Sequence, residues 1–340
     1  MKEIAVAVLN WNGEKLLEEF LPSVVKHSLE ADVFLIDNNS SDSSISFVQE
    51  KYPSVKIIQT NANLGYAGGY NFALAEIKNP YVVLLNSDIE TTENWLKAPL
   101  ELLKSDESIG ACQPKIKAYK EKDSFEYAGA AGGFIDYLGY PFCRGRLFEN
   151  LEKDFGQYND EREIFWASGA CLFVNRNAFY EAGELDETCF AHMEEIDLCW
   201  RLKNMGYKIM FNPNSTVYHM GGFIIKYGSP GKVFRNHRNN LIMLLKNLPP
   251  YEGIWKIPLR FFMDLLTIFK MFADGNFNTI PSISRAHIQF LFYFPKWYAK
   301  RNAAKKLWNN PNLRGVYPKS MVWQFFVKGK EKFSDFNWKP

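Results

Sequence analysis

The 340-residue sequence has no CxxC pair among its five cysteines, no GxGxxG, no GxxxxGK[ST] and no charge-free apolar run long enough to span a membrane. Each absence removes a class. An odd number of unpaired cysteines with no signal peptide reads as reduced thiols in the cytoplasm. The N-terminal apolar stretch, Ile4–Leu9, is too short for a leader or a membrane span and reads instead as a first strand. Without the two glycine signatures, neither a dinucleotide fold nor a P-loop is indicated. No recognised nucleic-acid module is present either. What remains, with 47% hydrophobic and 23% charged residues, is an ordinary globular chain long enough for one large domain and an appendage.

Net charge is only +2, but it is unevenly spread. Residues 1–225 carry 20 Lys and Arg against 33 Asp and Glu, whereas residues 226–340 carry 20 against 5. The basic C-terminal third is therefore expected to face something anionic, and a membrane surface ranks above nucleic acid.

Four apolar stretches, Ile4–Leu9, Val33–Ile36, Val55–Ile58 and Tyr81–Leu85, alternate with helical patterns, which predicts a parallel sheet with crossover helices. Each stretch runs into Asn, Asp or Gly. Two end in acids, Asp37 and the Asp88 of Asn86-Ser87-Asp88. In open α/β sheets ligands sit beyond the carboxyl ends of the strands, so this pattern predicts a site for a polar ligand with a cation. Turn chemistry alone also accounts for Asn, Ser and Asp at strand ends. Thr92–Lys104 is expected to be helical. Phe125–Arg146, rich in glycine and aromatics, fits either a ligand-facing wall or a hydrophobic hairpin.

Farther on, Phe165–Val174 has strand character, and Asn175 is placed to cap a helix ending near Gly183. His192–Gly206 has a helical pattern in which Asp197 and Arg201 form an (i, i+4) pair. Tyr207–Phe211 and Thr216–His219 read as two short strands.

The order of these motifs, Asn10-Trp-Asn12-Gly, Asp37-Asn-Asn39-Ser-Ser-Asp, Asn63-Leu-Gly65-Tyr-Ala-Gly68-Gly-Tyr-Asn71, Asn86-Ser87-Asp88, Ser168-Gly169-Ala170, Glu194-Glu195-Ile-Asp197 with Arg201, and His219-Met-Gly-Gly222, resembles the family 2 glycosyltransferases, most of all the bacterial rhamnosyltransferase-like members. The resemblance covers about Ile4–Gly222. It implies an α/β GT-A fold with a mostly parallel sheet flanked by helices. A nucleotide-sugar half would span residues 1–88, an acceptor half 89–225 and a basic helical region 226–340.

By the same resemblance, Asp37 reads the base of the nucleotide. Asp88 and His219 hold a divalent cation, Mg²⁺ or Mn²⁺, and Glu195 is the catalytic base. Substrate contacts fall to Asn10, Asn12, Asn39, Asn63, Gly65, Gly68 and Asn71 from the first half, with Asn86 and Ser87 beside the cation. Trp166, Ser168, Gly169, Glu194, Asp197 and Arg201 line the acceptor side. The family more often carries Asp at the position of Glu195, so Glu194 and Asp197 stay open as alternative bases. A glutamate at its ordinary pKa of about 4.3 would already be ionised at pH 7. The implied reaction is an inverting transfer from a nucleotide-diphosphate sugar, dTDP-rhamnose or a UDP-sugar, to a lipid-linked or saccharide acceptor of a surface polysaccharide. A sugar nucleotidyltransferase would carry a glycine-rich basic loop after its first strand, which Leu9–Lys15 does not match. A non-catalytic subunit would not be expected to keep both acids and the histidine.

Ile254–Ala273 is twenty mostly apolar residues, yet Lys256, Arg260, Asp264, Thr267 and Lys270 recur every three or four positions. That spacing predicts an amphipathic helix and not a span. With the basic run Lys296–Lys306 it suggests peripheral attachment to the inner face of the plasma membrane. A helical subdomain with a solvated basic rim is the alternative.

Overall fold

The structure is a computed structural model that describes residues 1–221, 229–273, 275 and 277–338. The domain boundary expected at 225/226, and Gly222 of the His219 motif, lie outside the described residues.

The first half alternates as its patterning predicts: β1 (Ile4–Asn10), α1 (Glu14–Lys26), β2 (Ala31–Asp37), α2 (Ser44–Lys51), β3 (Lys56–Gln59), α3 (Gly65–Glu76) and β4 (Tyr81–Asn86). The parallel order is β4-β1-β2-β3, and β4 lies inside the sheet with Val82, Val83, Leu84 and Leu85 fully buried. An uninterrupted apolar strand is stable there because both faces are covered.

Beyond β4 the sheet is mixed. The chain continues through β5 (Ile89–Thr91), α4 (Lys97–Ser105), β6 (Ile109–Ala118), four short strands β7 (Gly133–Asp136), β8 (Pro141–Cys143), β9 (Arg146–Leu147) and β10 (Asn150–Leu151), then β11 (Arg162–Ile164), β12 (Cys171–Asn175), α5 (Arg176–Glu181), α6 (Glu194–Asn204) and β13 (Lys208–His219). β12 runs antiparallel to β4 and β6, and β5 and β11 run antiparallel to β13. The two short strands expected at 207–211 and 216–219 are one strand, broken in register between Asn212 and Thr216. The helix expected from Thr92 starts at Lys97, because residues 89–91 pair with β13 and Asn94 adopts φ 59°. The strand expected from Phe165 starts at Cys171, leaving residues 165–170 to turn through the site. Asn175 does cap α5, accepting from the amides of Asn177 and Ala178.

The C-terminal region is helical, with α7 (Pro230–Asn247), α8 (Pro250–Ala273), α9 (Ile280–Phe292), α10 (Phe294–Lys305), a two-residue strand β14 (Val316–Tyr317) and α11 (Met321–Phe326). It is woven into the rest. β14 adds to β7 of the small sheet, and Tyr317, Phe333, Phe336 and Trp338 stack on Phe134 and Phe142. The glycine- and aromatic-rich stretch is thus a hydrophobic subdomain, while its Tyr127 and Tyr140 still reach the central cavity.

Part of the charge asymmetry is neutralised inside the molecule. Lys246 of α7 contacts Asp186 and Asp197 at 2.8 Å, and Lys300 of α10 contacts Asp186 at 2.7 Å. The amphipathic helix forms as expected, but its charged stripe points inward: Lys256, Arg260 and Asp264 are buried, while Ile254, Phe262, Phe269 and Phe272 are exposed. The side chain of Lys270 lies outside the described set. Among the described residues no helix is long and apolar enough to cross a membrane.

Candidate active site

A cavity of about 1080 Å³ opens at the carboxyl ends of β1, β2 and β4, and its other wall is built by residues 165–170, the start of α6, and helices α7 and α8. This is just above the roughly 300–1,000 Å³ of a typical single-ligand pocket.

The acid end is set by strand register. After β4, Asn86-Ser87-Asp88 turns the chain into β5, whose Ile89 pairs with His219 of β13. That pairing brings His219 Nε2 to 3.1 Å from Asp88 Oδ1, while Nδ1 stands 3.1 Å from Glu126 Oε2. Burial alone would discharge His219, but the two carboxylates outweigh it and raise its pKa well above the ordinary value. Burial raises Asp88 and Glu126 in turn, and the neighbouring imidazolium overcomes this and lowers both. Among the described residues, Ser87 Oγ is buried without a hydrogen-bond partner. Carboxylate, hydroxyl and imidazole are donors suited to a small divalent cation. Among the described residues, however, no set of three or more His, Cys, Asp or Glu is arranged to hold one; here His219 itself fills the space between the two acids.

A second wall of the cavity is built on a strained turn. His192 and Met193 both adopt φ 74°, and α6 begins at once with Glu194 and Glu195. Asn239 of α7 holds this turn, donating to the carbonyls of Cys189, Ala191 and His192. Burial raises Glu195 from 4.5 to about 7, against the opposing pull of backbone N–H groups at the helix start. Burial and the charge of Glu195 push Glu194 well above the usual carboxylate range. Glu195 therefore differs from the ordinary ionised glutamate that sequence alone implies. His192 is driven down to about 3 by burial, with Lys232 and Arg235 adding to the effect, and is neutral.

The cavity is lined by Asn63, Gly65, Asn86, Ser87, Asp88, Trp166, Ser168, Gly169, Glu194, Glu195 and His219, as expected from sequence. Gly65 has φ 71°, and a Cβ there would lie 2.5 Å from the Phe190 carbonyl oxygen, which accepts from the Tyr66 amide at 2.7 Å. Gly169 lets Tyr66 Oη approach and donate to its carbonyl at 2.7 Å.

Other expected residues do not line the cavity. Asp37 is fully buried and accepts from Asn10 Nδ2 and the Ser40 amide, while Asn12 accepts from the Ser41 amide, so the three shape the first loop. Asn39 adopts φ 61°, and its neighbour Asn38 lines the cavity instead. Gly68 packs on Leu64, and Asn71 ties α3 to Leu185 and Glu187. Asp197 and Arg201 do not line the cavity. Asp197 is held by Arg201, Lys246 and Asn247, and Arg201 also donates to the carbonyls of Ala182 and Glu184.

Sequence reasoning missed Glu126, Lys232 and Arg235. Glu126 arrives through the bridge between Lys117 and Phe125, which no local pattern announces. The other two had a signal: Lys232, Arg235, Asn236 and Asn240 share one helical face, and it is the face that lines the cavity.

Comparison with known proteins agrees with this architecture. The description of glycosyl transferase family 2 matches residues 5–183. The N-acetylglucosaminyl-diphospho-decaprenol L-rhamnosyltransferase of Mycobacterium tuberculosis is 27% identical over 276 residues, covering 76% of this chain and 88% of that protein. The low-salt glycan biosynthesis hexosyltransferase Agl10 of Haloferax volcanii is 21% identical over 62% of this chain and 64% of its own. Among solved structures, Staphylococcus aureus TarS 1-349 in complex with UDP-GlcNAc superposes with TM-score 0.57 at 16% identity, covering 90% of this chain and 88% of that one. GalNAc-T7 with UDP, GalNAc and Mn²⁺ superposes with TM-score 0.56 at 17% identity, over 72% of this chain and 48% of that one. At these identities the structural likeness speaks for the GT-A fold alone, and the family match speaks for the activity: the chain belongs to glycosyltransferase family 2 and is a glycosyltransferase.

Proposed function

We propose that the protein inverts a sugar centre, moving the sugar of a nucleotide-diphosphate donor, dTDP-rhamnose or a UDP-sugar, to a hydroxyl of a lipid-linked saccharide, with Glu195 as base. The observation that carries this reading is one cavity lined both by Glu195, whose pKa burial raises to about 7, and by Asp88 and His219 of the cluster with Glu126. The relatives support the substrate class, since one is named for transfer of rhamnose to a lipid diphosphate sugar.

Glu195 accepts the proton of the acceptor hydroxyl as its oxygen bonds to the anomeric carbon. The bond from that carbon to the donor diphosphate breaks, and the nucleoside diphosphate leaves with the electron pair. Lys232 and Arg235, both lining the cavity, favour the departing negative charge. Asp88 would hold the divalent cation, with His219 joining it only on giving up a proton, and the cation when bound would neutralise the diphosphate. Glu194 is less suited to be the base because burial and the neighbouring Glu195 carboxylate disfavour its ionised form, and Asp197 because its charge is committed to Lys246 and Arg201. The base must be ionised, so kcat/KM is expected to rise about tenfold per pH unit below about 7 and to level off near pH 8. A pH-rate profile flat from pH 5 to 8 would remove Glu195 from the role.

The same reading puts the protein at an anionic membrane surface. The exposed apolar face of α8 continues on α9 with Ile288, Leu291 and Phe292, and Lys296, Lys305 and Lys306 of α10 and its end are exposed beside it. Each basic residue near an anionic surface contributes about 1 kcal/mol. The protein is expected to sediment with phosphatidylglycerol vesicles at low salt and to be only partly released by 1 M NaCl. Equal recovery with phosphatidylcholine vesicles would count against this attachment.

A further inference from the structure

Arg260 is an unusual occupant of the cavity wall. It is 4% exposed, its guanidinium lies 3.4 Å from the centre of the Tyr140 ring, and among the described residues its Nε and Nη1 have no hydrogen-bond partner. A buried guanidinium with unused donors is costly unless something occupies them. Among the described residues Asp264 stands 3.8 Å from Nη2 but is engaged more closely by His287 at 2.9 Å, with His237 at 3.9 Å, and buried Asp136 and the Tyr140 hydroxyl also feel the Arg260 charge. The positive charge is thus only partly met inside the protein.

The position of Arg260 matters as much as its donors. α8 turns Arg260, Asp264 and Thr267 to the cavity and Phe262, Leu265, Leu266 and Phe269 to the outside. Arg260 and Thr267 are seven residues, or about 10 Å, apart along the helix. One helix therefore carries an apolar outer face for a lipid tail and an inner cation within the cavity that also holds Glu195. A guanidinium is a fixed cation, and its unpartnered Nε–H and Nη1–H groups can each meet one oxygen of a phosphate.

We propose that Arg260, on the inner face of α8, forms the subsite for the diphosphate of a prenyl-diphosphate-linked acceptor, whose lipid runs out across the apolar face of the same helix. This rests on the glycosyl-transfer reading above and adds to it a residue and an orientation: tail outside α8, diphosphate at Arg260, sugar hydroxyl toward Glu195. The donor's diphosphate belongs beside Asp88, so the two diphosphates do not compete.

The test uses the full-length protein at 150 mM NaCl with farnesyl diphosphate, farnesol, UDP and dTDP as probes, each below its micellar concentration. Farnesyl diphosphate is expected to bind saturably and at least tenfold more tightly than farnesol. Arg260→Gln should weaken it at least tenfold, Arg260→Lys should fall between, and nucleotide binding should be unchanged in both. Arg260→Lys retains the charge and stem, so it carries the test should the Gln variant fail to fold. Equal binding of farnesol and farnesyl diphosphate, or variants that bind farnesyl diphosphate as the wild type does, would overturn the subsite. So would displacement of farnesyl diphosphate by UDP or dTDP, because the cation would then serve the donor. If the wild-type protein binds neither nucleotide, the glycosyl-transfer reading itself falls and the subsite with it. Nucleotide binding with an indifferent Arg260 overturns the subsite alone.

Discussion

Glu195→Gln is expected to lower turnover by on the order of 10²–10⁴, the range for loss of a general base, with little change in donor affinity. The amide keeps the volume and cannot take the proton. Glu195→Asp should retain substantial activity, because the carboxylate stays at the start of α6 and retreats by one methylene. The same substitution has a stability signature of opposite sign. Glu195 binds its proton more tightly in the folded state, near 7, than in the unfolded state, near 4.5. Its contribution therefore favours the fold below about pH 4.5 and is lost as pH rises through 7. The glutamine has no charge to bury, so Glu195→Gln should melt above the wild type at pH 8, with the difference shrinking toward pH 5. A variant that is both inactive and more stable at high pH is what a strained catalytic carboxylate predicts. Near wild-type activity in Glu195→Gln, with Glu194→Gln dead, would move the base to its neighbour.

Asp88→Ala is expected to abolish transfer and the metal-dependent part of nucleotide binding while leaving the fold intact. His219 keeps Glu126 at 3.1 Å, so its buried charge is not stranded when Asp88 is removed. Either Mg²⁺ or Mn²⁺ should sustain activity, since an oxygen and imidazole donor set accepts both. Isothermal titration with UDP and dTDP, with and without EDTA, measures the binding arm, and full activity in EDTA would remove the metal role from Asp88 and His219.

What the sequence disclosed and what it hid have a physical division. Asp88 and Glu195 were legible because each follows directly from the element that delivers it, an apolar strand and a helix start. His219 was legible as a motif, but its partner Glu126 was not. Their meeting depends on β5 pairing with β13 and on the Lys117–Phe125 bridge, contacts between residues far apart in sequence. The helical period of residues 254–273 was correct, yet period says nothing about which face turns inward. The usual expectation of apolar inside is reversed here because the inner face borders a cavity that carries ionisable side chains such as Glu195, Lys232 and Arg235. Asp197 and Arg201 were read correctly as a pair and placed too near the substrate, since a helix wheel does not show that Lys246 and Asn247 of α7 cover that face. Electrostatics was the least legible layer: the raised pKa of Glu195 comes from burial, which only the assembled fold creates.

The central claim is an inverting transfer from a nucleotide-diphosphate sugar, and NMR of a running reaction with donor and lipid-linked acceptor tests it most directly. The account predicts release of the nucleoside diphosphate together with a glycoside whose anomeric configuration is opposite to that of the donor. A product that keeps the donor's configuration, or transfer of a nucleoside monophosphate instead of a sugar, would contradict it.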